Sequence, residues 1–503
     1  MHPPGQPRKA TQREDALSIG LRIARGSTSA LQVMQATLRR IAEDNPRLNA
    51  VAHLDAELGL RGAAAVDAEL AACRTDDERA ALQAQRPFLG VPLLLKDLAT
   101  AAVDLPSRMG SRLGQRVNGP LGAGLHWPVD ASLVTRYRQA GFIPFGRSTS
   151  PEMGISPSTE ALAYGGPTRN PYDTARSPGG SSGGAASAIA SGMVAIAHAS
   201  DGAGSIRIPA SCCGLIGLKP SRGLVPAGPL FGEGWGGLAV EHMLTTSTRD
   251  CAAALLASAG GDAGAPHAAP GSLQGLMDAL HRADAAPRLR IGLCDTTFDG
   301  DPVHPEVARA VRHLAARLEA LGHSIEPARP PIGTLALIRP LAHVVACGTS
   351  MAVARLAALH GPIARDELEP VTWGAVELGQ RVSGAEYLEH LAQLHAIGRR
   401  MVSFFEQHDL LLTPVLAEPP PLLGHWAMHN PAFKDFLDYR IGPEGLWRYS
   451  PFAPLANATG GASIALPAGW SSGGLPIGAM LTGQLGDDAL LLGLSAELEA
   501  AGD

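Results

Sequence analysis

The chain has 503 residues, of which 45% are hydrophobic and 17% charged, enough apolar material for a large core and no long stretch of disordered composition. A formal net charge of −6 and a pI near 6.3 give no sign of a nucleic-acid or anionic-membrane partner. The cysteines (Cys73, Cys212, Cys213, Cys251, Cys294 and Cys347) form no C-x-x-C pair, so neither a zinc site nor a disulfide framework is indicated.

The opening MHPPGQPRKATQRED is polar and lacks the apolar stretch of a secretory signal, so residues 1–14 read as a flexible terminus. No run of 18 or more apolar residues follows, and the expected setting is a reducing cytoplasm without a membrane span. Residues 12–86 read as helical, with Leu17, Leu21 and Ile23 at helical spacing; this gives an N-terminal helical part over about 15–86. Pro87 ends it. Phe88–Leu95 is a nearly continuous apolar run, which suits a buried parallel strand. Residues 101–130 are rich in Gly and Pro and read as a loop of the kind that covers a site.

Ser132–Ala140 reads as a helix and Phe142–Gly146 as a strand, followed by a long loop over Ser148–Ser182. Ala185–Gly192 is a helix of small residues able to pack closely on a sheet, 193–199 a strand, and 200–205 a Gly/Ser loop. Residues 260–288 resemble a connector or insertion. A further α/β unit starts at Leu289-Arg-Ile-Gly-Leu and runs into a helix over Pro305–Leu321; strand-like LLLTP (410–414) and SIALP (463–467) continue the sheet. Strands alternating with helices predict an α/β fold: a single large domain over 15–500 with a central mixed sheet flanked by helices.

The chemistry-bearing stretch is Ser177-Pro-Gly-Gly-Ser-Ser-Gly-Gly. It lacks the Gly-Lys-Ser/Thr ending of a phosphate-binding Walker loop. It satisfies G-x-S-x-G at Ser181 and again at Ser182, the nucleophile-elbow pattern, but no downstream acid and histidine stand out; alone, it could be a plain turn into a helix. Twenty-four residues after Ser181 comes Asp201-Gly-Ala-Gly-Ser-Ile-Arg-Ile-Pro. There Ser205 follows small residues whose amides can surround one hydroxyl, as acyl transfer requires. Upstream, Val91-Pro-Leu-Leu-Leu-Lys96-Asp97 ends an apolar strand on a lysine. Lysine is scarce here: only Lys9, Lys96, Lys219 and Lys434 among 41 basic residues. Burial would lower the pKa of Lys96 and make it a base; snorkelling to solvent or pairing with Asp97 is the other reading of that segment.

Together these segments resemble the amidase signature family. The resemblance runs through SPGGSSGGAASAIASGMVAIAHASDGAGSIRIPASCCGLIGLKPSRG (177–223), with GVPLLLKD (90–97), GRSTSPEMG (146–154), TRNPYD (168–173) and GGASIALPAGWSSGGLPIGAML (460–481), and covers about residues 15–500. It implies a Ser–Ser–Lys triad: Ser205 as nucleophile, Ser181 as bridging serine and Lys96 as base. It also implies an oxyanion hole from the amides of Gly202, Ala203, Gly204 and Ser205, with Ser182, Asp201 and Arg207 supporting the loop. The bridging serine follows a cis peptide in such enzymes, here Gly180–Ser181, where glycine relieves the clash. No metal or organic cofactor is implied. Family members commonly have two glycines before the nucleophile; Ala203 replaces the first, which costs energy if that position needs a positive φ.

Within the family, the Asp-x-Ala-Gly-Ser loop, the preceding AHAS and Cys347 in the helix-like stretch His343–Leu356 resemble hydrolases of cyclic aliphatic-amide dimers. Cys347 matches a cysteine that touches the substrate amide there, although a free cysteine equally suits a small buried hydrophobe. The expected substrate is a small, largely apolar amide, with Leu105, Leu121, Leu125, Trp127, Leu422, Leu423, Trp426, Phe433 and Phe436 as candidate pocket residues. Alternatives are a glutamine-hydrolysing subunit of a tRNA-dependent amidotransferase, an esterase or carbamate hydrolase of the same fold, and an inactive scaffold. A homodimer is left open.

Overall fold

Among the described residues, eleven short strands line up into one mixed sheet. In chain order they are β1 (Val51–Leu54), β2 (Pro92–Lys96), β3 (Ile143–Ser148), β4 (Ala197–Asp201), β5 (Ile216–Lys219), β6 (Val240–Thr245), β7 (Arg290–Leu293), β8 (Ser324–Pro327), β9 (Leu410–Pro414), β10 (Ser463–Trp470) and β11 (Pro476–Thr482). Across the sheet the order is β1-β3-β2-β4-β6-β5-β10-β11-β9-β7-β8. The computed structural model describes residues 14–119, 122–281 and 288–502, so the expected flexible terminus lies almost wholly outside the described residues.

Both faces of the sheet are buried around its centre. Along β2, Leu93 and Leu95 join Phe88, Tyr137 and Phe142 in a smaller core, while Leu94 joins the main core on the other side. Side chains alternate along a strand, so Lys96 falls on the face of Leu94. The small-residue helix Gly183–Ser191 packs against β2 and β4, and all its residues but the last are buried. The helix Thr334–His360 is long and apolar enough to cross a membrane by length and hydropathy alone. It instead sets Leu337, Leu341, Val344 and Val345 into the core and packs on the helices Pro370–Arg381 and Gly384–Gln407.

Three expectations change. The stretch read as helical throughout contains β1. Asn49, at φ 50°, ends the helix Ala30–Leu48, and the Asn45 side chain accepts from the amides of Ala50 and Val51 at 2.8 and 2.9 Å. That turns Val-Ala-His-Leu onto β3 as an antiparallel edge strand. The connector over 260–288 includes a helix, Leu273–His281, packed on the C-terminal helix Asp488–Ala501; residues 282–287 are outside the described part. The 101–130 loop contributes no described residue to the lining of the cleft described below. It lines a separate hollow of about 330 Å³ with Met109, Leu113 and Leu125. Buried Arg147 pins the start of this loop, donating to the carbonyls of Lys96 and Thr100 at 3.0 Å and of Leu105 at 2.7 Å.

Candidate active site

β2 and β4 are parallel neighbours, with Leu94 opposite Ala197, so their carboxyl ends share one edge. Ligand crevices of open α/β sheets form at such edges. β2 delivers Lys96 there, and β4 delivers Ser200 and Asp201. The long loop after β3 brings Ser181 to the same edge, just before the helix Gly183–Ser191 starts.

Lys96 is fully buried. Its Nζ is hydrogen-bonded to Ser181 Oγ at 2.7 Å and to Ser200 Oγ at 2.9 Å. Its backbone N–H donates to His198 Nδ1 at 3.2 Å, which fixes the strand end from behind. Burial pushes the ammonium down to about 7, with Asp201 and Glu241 opposing that shift from further away. The lysine therefore neither snorkels nor pairs with Asp97, whose carboxylate instead takes Ser107, the Arg108 amide and Tyr164.

Ser181 is 2% exposed and the Gly180–Ser181 peptide is cis. Gly180 lies so close to an earlier stretch of the same loop that a Cβ would meet Pro157 C and Ser158 N at 2.7 Å. The Ser182 amide donates to Ser205 O at 3.3 Å, tying the two serine loops together; Ser182 Oγ donates to Ser200 O at 3.3 Å.

The loop after β4 is built around Asp201. Its carboxylate accepts from the amides of Gly204 and Ile206 at 2.7 and 3.1 Å, from Arg207 Nε and Nη2 at 2.9 Å each, and from Asn457 Nδ2 at 2.9 Å. Burial would raise the carboxyl, but the Arg207 guanidinium and these bonds hold it well below the usual range. Gly204, at φ 119°, makes the turn; Ala203 has no positive φ, so alanine carries no left-handed penalty there. The Gly204 amide is committed to Asp201, which takes it out of the expected oxyanion set. The amides of Gly202, Ala203 and Ser205 have no acceptor among the described residues. Removing Asp201 would leave Arg207 buried without a counter-charge. Asp201→Ala should cost about 3–5 kcal/mol of stability in urea unfolding; a loss below about 1 kcal/mol would mean that the pair does not hold the loop.

Ser205 is half-buried and lines a cleft of about 480 Å³. Its walls are Ile155, Trp235, Ile338, Leu341, Leu446 and Trp447, with Ser156, Arg440 and Ser450 as polar lining. No histidine is among the described residues lining it, which removes the support for a nucleophile elbow. Cys347 is half-buried on the helix that supplies Ile338 and Leu341, but it is not among the lining residues; its neighbour Gly348 lies against the Trp235 indole. Among the described residues, none of the apolar candidates lines this cleft. Leu105, Trp426 and Phe436 are core, Leu125 and Trp127 pack at core edges, Leu422 is exposed, and Phe433 stacks on Trp426; Leu423 does not reach the cleft, and Leu121 is outside the described residues. Sequence reading missed Ser200, although it sits in the AHAS segment beside Asp201, and Asn457, just before the closing segment 460–481.

A buried amine with a pKa near neutrality, joined to a hydroxyl and set beside a half-exposed serine in an amide-rich loop, has what a serine hydrolase needs without histidine. The chain belongs to the Amidase family, enzymes acting on amide bonds, whose model matches residues 32–492. It is 32% identical to a 6-aminohexanoate-cyclic-dimer hydrolase of Pseudomonas sp. (strain NK87), over 97% of this chain and 94% of that one. A solved structure of 6-aminohexanoate cyclic dimer hydrolase superposes with a TM-score of 0.85 at 31% identity, covering 97% and 96% of the two chains. A bacterial aryl acylamidase of the amidase signature family superposes with a TM-score of 0.84 at 25% identity, over 97% and 96%.

Proposed function

We propose that the protein hydrolyses the C–N bond of small, largely apolar amides, cyclic or oligomeric aliphatic amides among them, through an acyl-enzyme on Ser205. The observation that carries this reading is Lys96: fully buried, held near neutrality and 2.7 Å from Ser181 Oγ. Neutral Lys96 takes a proton from Ser181 as Ser181 takes one from Ser205. The Ser205 alkoxide attacks the carbonyl, and its oxyanion is held by the amides of Gly202, Ala203 and Ser205, each worth about 3 kcal/mol. Charged Lys96 then returns the proton through Ser181 to the leaving nitrogen, and water releases the acyl group by the same relay. The relay needs no metal or cofactor. The similarity to enzymes named for a cyclic amide dimer and the apolar cleft walls support the substrate class. Unpaired cysteines fit a reducing, cytoplasmic setting.

kcat/KM measured on aliphatic amides of rising chain length should climb about threefold to fourfold per methylene until the cleft is filled, from about 0.8 kcal/mol per buried CH₂. Glutamine and matched esters and carbamates belong in the same series. No gain with length, or a clear preference for glutamine, would sink the apolar-amide reading and point to an ammonia-releasing subunit; preference for the ester or carbamate would move the reaction class. Ser181→Ala should lower kcat by about 10²–10⁴ with little change in KM, because it interrupts proton transfer rather than binding. Near-normal kcat in that variant would remove Ser181 from the relay.

A further inference from the structure

The cleft beside Ser205 has a polar wall that this reaction does not use. Arg440, in the helix Phe436–Ile441, is 5% exposed and lines the cleft. Its Nη2 donates to Ile155 O at 2.7 Å, and its guanidinium lies 5.1 Å from the centre of the Phe436 ring. Its Nε is buried without a partner, and no carboxylate among the described residues pairs with it. Burial pulls Arg440 down to about 10, which still leaves a cation near neutral pH. Ser450, 4% exposed, lines the same cleft, and its Oγ is also buried without a partner.

Buried polar groups are nearly always hydrogen-bonded, and buried charges are nearly always compensated. Bracing the loop at Ile155 occupies one of the five donors of a guanidinium. It explains neither the orphaned Nε nor the orphaned hydroxyl of Ser450. Arg440 and Ser450 line the same cleft as Ser205, and most of its remaining lining is apolar. What is missing there is an oxygen acceptor.

We infer that Arg440 and Ser450 form a second anchor in the substrate cleft, which receives a carboxylate or a second amide carbonyl of the substrate, distinct from the carbonyl that Ser205 attacks. The preferred substrates are then bifunctional: diamides or amide-acids with methylenes between the two polar groups. This rests on the proposed amide hydrolysis for the identity of the scissile group, but binding alone tests it.

On Ser205→Ala protein, calorimetry compares three ligands of matched length: a plain N-alkyl alkanamide, the same chain ending in a primary carboxamide, and the same chain ending in a carboxylate, with the end group placed in turn on the acyl and amine sides. At least one bifunctional ligand should bind about tenfold tighter than the plain amide, as a hydrogen bond to a charged group allows. The better end group names the acceptor. Ser450→Ala and Arg440→Met, each added to Ser205→Ala, should bring the ligands to within about twofold of one another. If Arg440→Met unfolds, Ser450→Ala decides. Equal affinity for all three ligands, or variants that weaken all three by the same factor, would overturn the anchor and leave Arg440 as a brace for the loop. Failure of the unmutated protein to hydrolyse any of these amides would count against the amidase reading instead, and the binding comparison would stand on its own.

Discussion

Ser205→Ala should reduce amide turnover by about 10⁶, the scale seen when a serine hydrolase loses its nucleophile. Ser205 is half-buried at the cleft, in a loop where the amides of Gly202, Ala203 and Ser205 have no acceptor among the described residues. Neither Ser181 nor Ser156 is free to replace it. Ser181 is buried and joined to Lys96, and Ser156 is held by Tyr439 and the Trp426 carbonyl at 2.8 and 3.2 Å. Ser205 has no fold-holding side-chain bond among the described residues, so the variant should unfold at the same urea concentration as the unmutated protein. Turnover above about 1% of the original in a folded Ser205→Ala protein would place the nucleophile elsewhere.

Lys96→Met should lower kcat/KM by about 10²–10⁴, the usual contribution of a positioned base. It should also remove a limb of the pH profile. The sign follows from the chemistry: below about 7 the amine is protonated and has no lone pair, and above it the neutral amine accepts the Ser181 proton. Activity of the unmutated protein should therefore rise with pH through about 7 and level off. Lys219 is the internal control. Burial pushes it, too, down to about 7, but its Nζ donates to the Pro220 carbonyl at 2.7 Å and to none of the site hydroxyls. Lys219→Met should keep the limb at the same midpoint. A limb that survives in an active Lys96→Met protein, or disappears in Lys219→Met, would assign the ionisation to another group.

Local pattern carried much of the sheet. β9 spans the residues of the LLLTP run, and the helix Ser132–Gln139 and strand β3 fall within a residue or two of their expected places. An apolar strand or helix announces itself by periodicity over a few residues. β1 did not, because four residues between helices carry too short a signal and the pairing that defines the strand lies nearly a hundred residues away on β3. The meeting of Lys96 with Ser181 was legible only through the family resemblance; nothing in the spacing of two residues 85 apart dictates it. The cleft lining was misread because an apolar side chain has the same composition signature in a core as in a pocket. Phe436 and Trp426 went to the core, whereas Trp235 and Trp447, from turn-rich segments, came to the cleft. The expected donor set lost Gly204 for a reason of local geometry: an acidic side chain three residues back takes that amide first.

Acid-quenching the protein during turnover of a chromogenic aliphatic anilide and mapping the acyl group by peptide mass spectrometry tests the central claim most directly. The acyl mass should sit on Ser205, be absent from Ser205→Ala protein, and accumulate more slowly in Lys96→Met. Acyl label on Ser181, on Ser182 or on a cysteine, or label on Ser205 that forms at the same rate without Lys96, would contradict it.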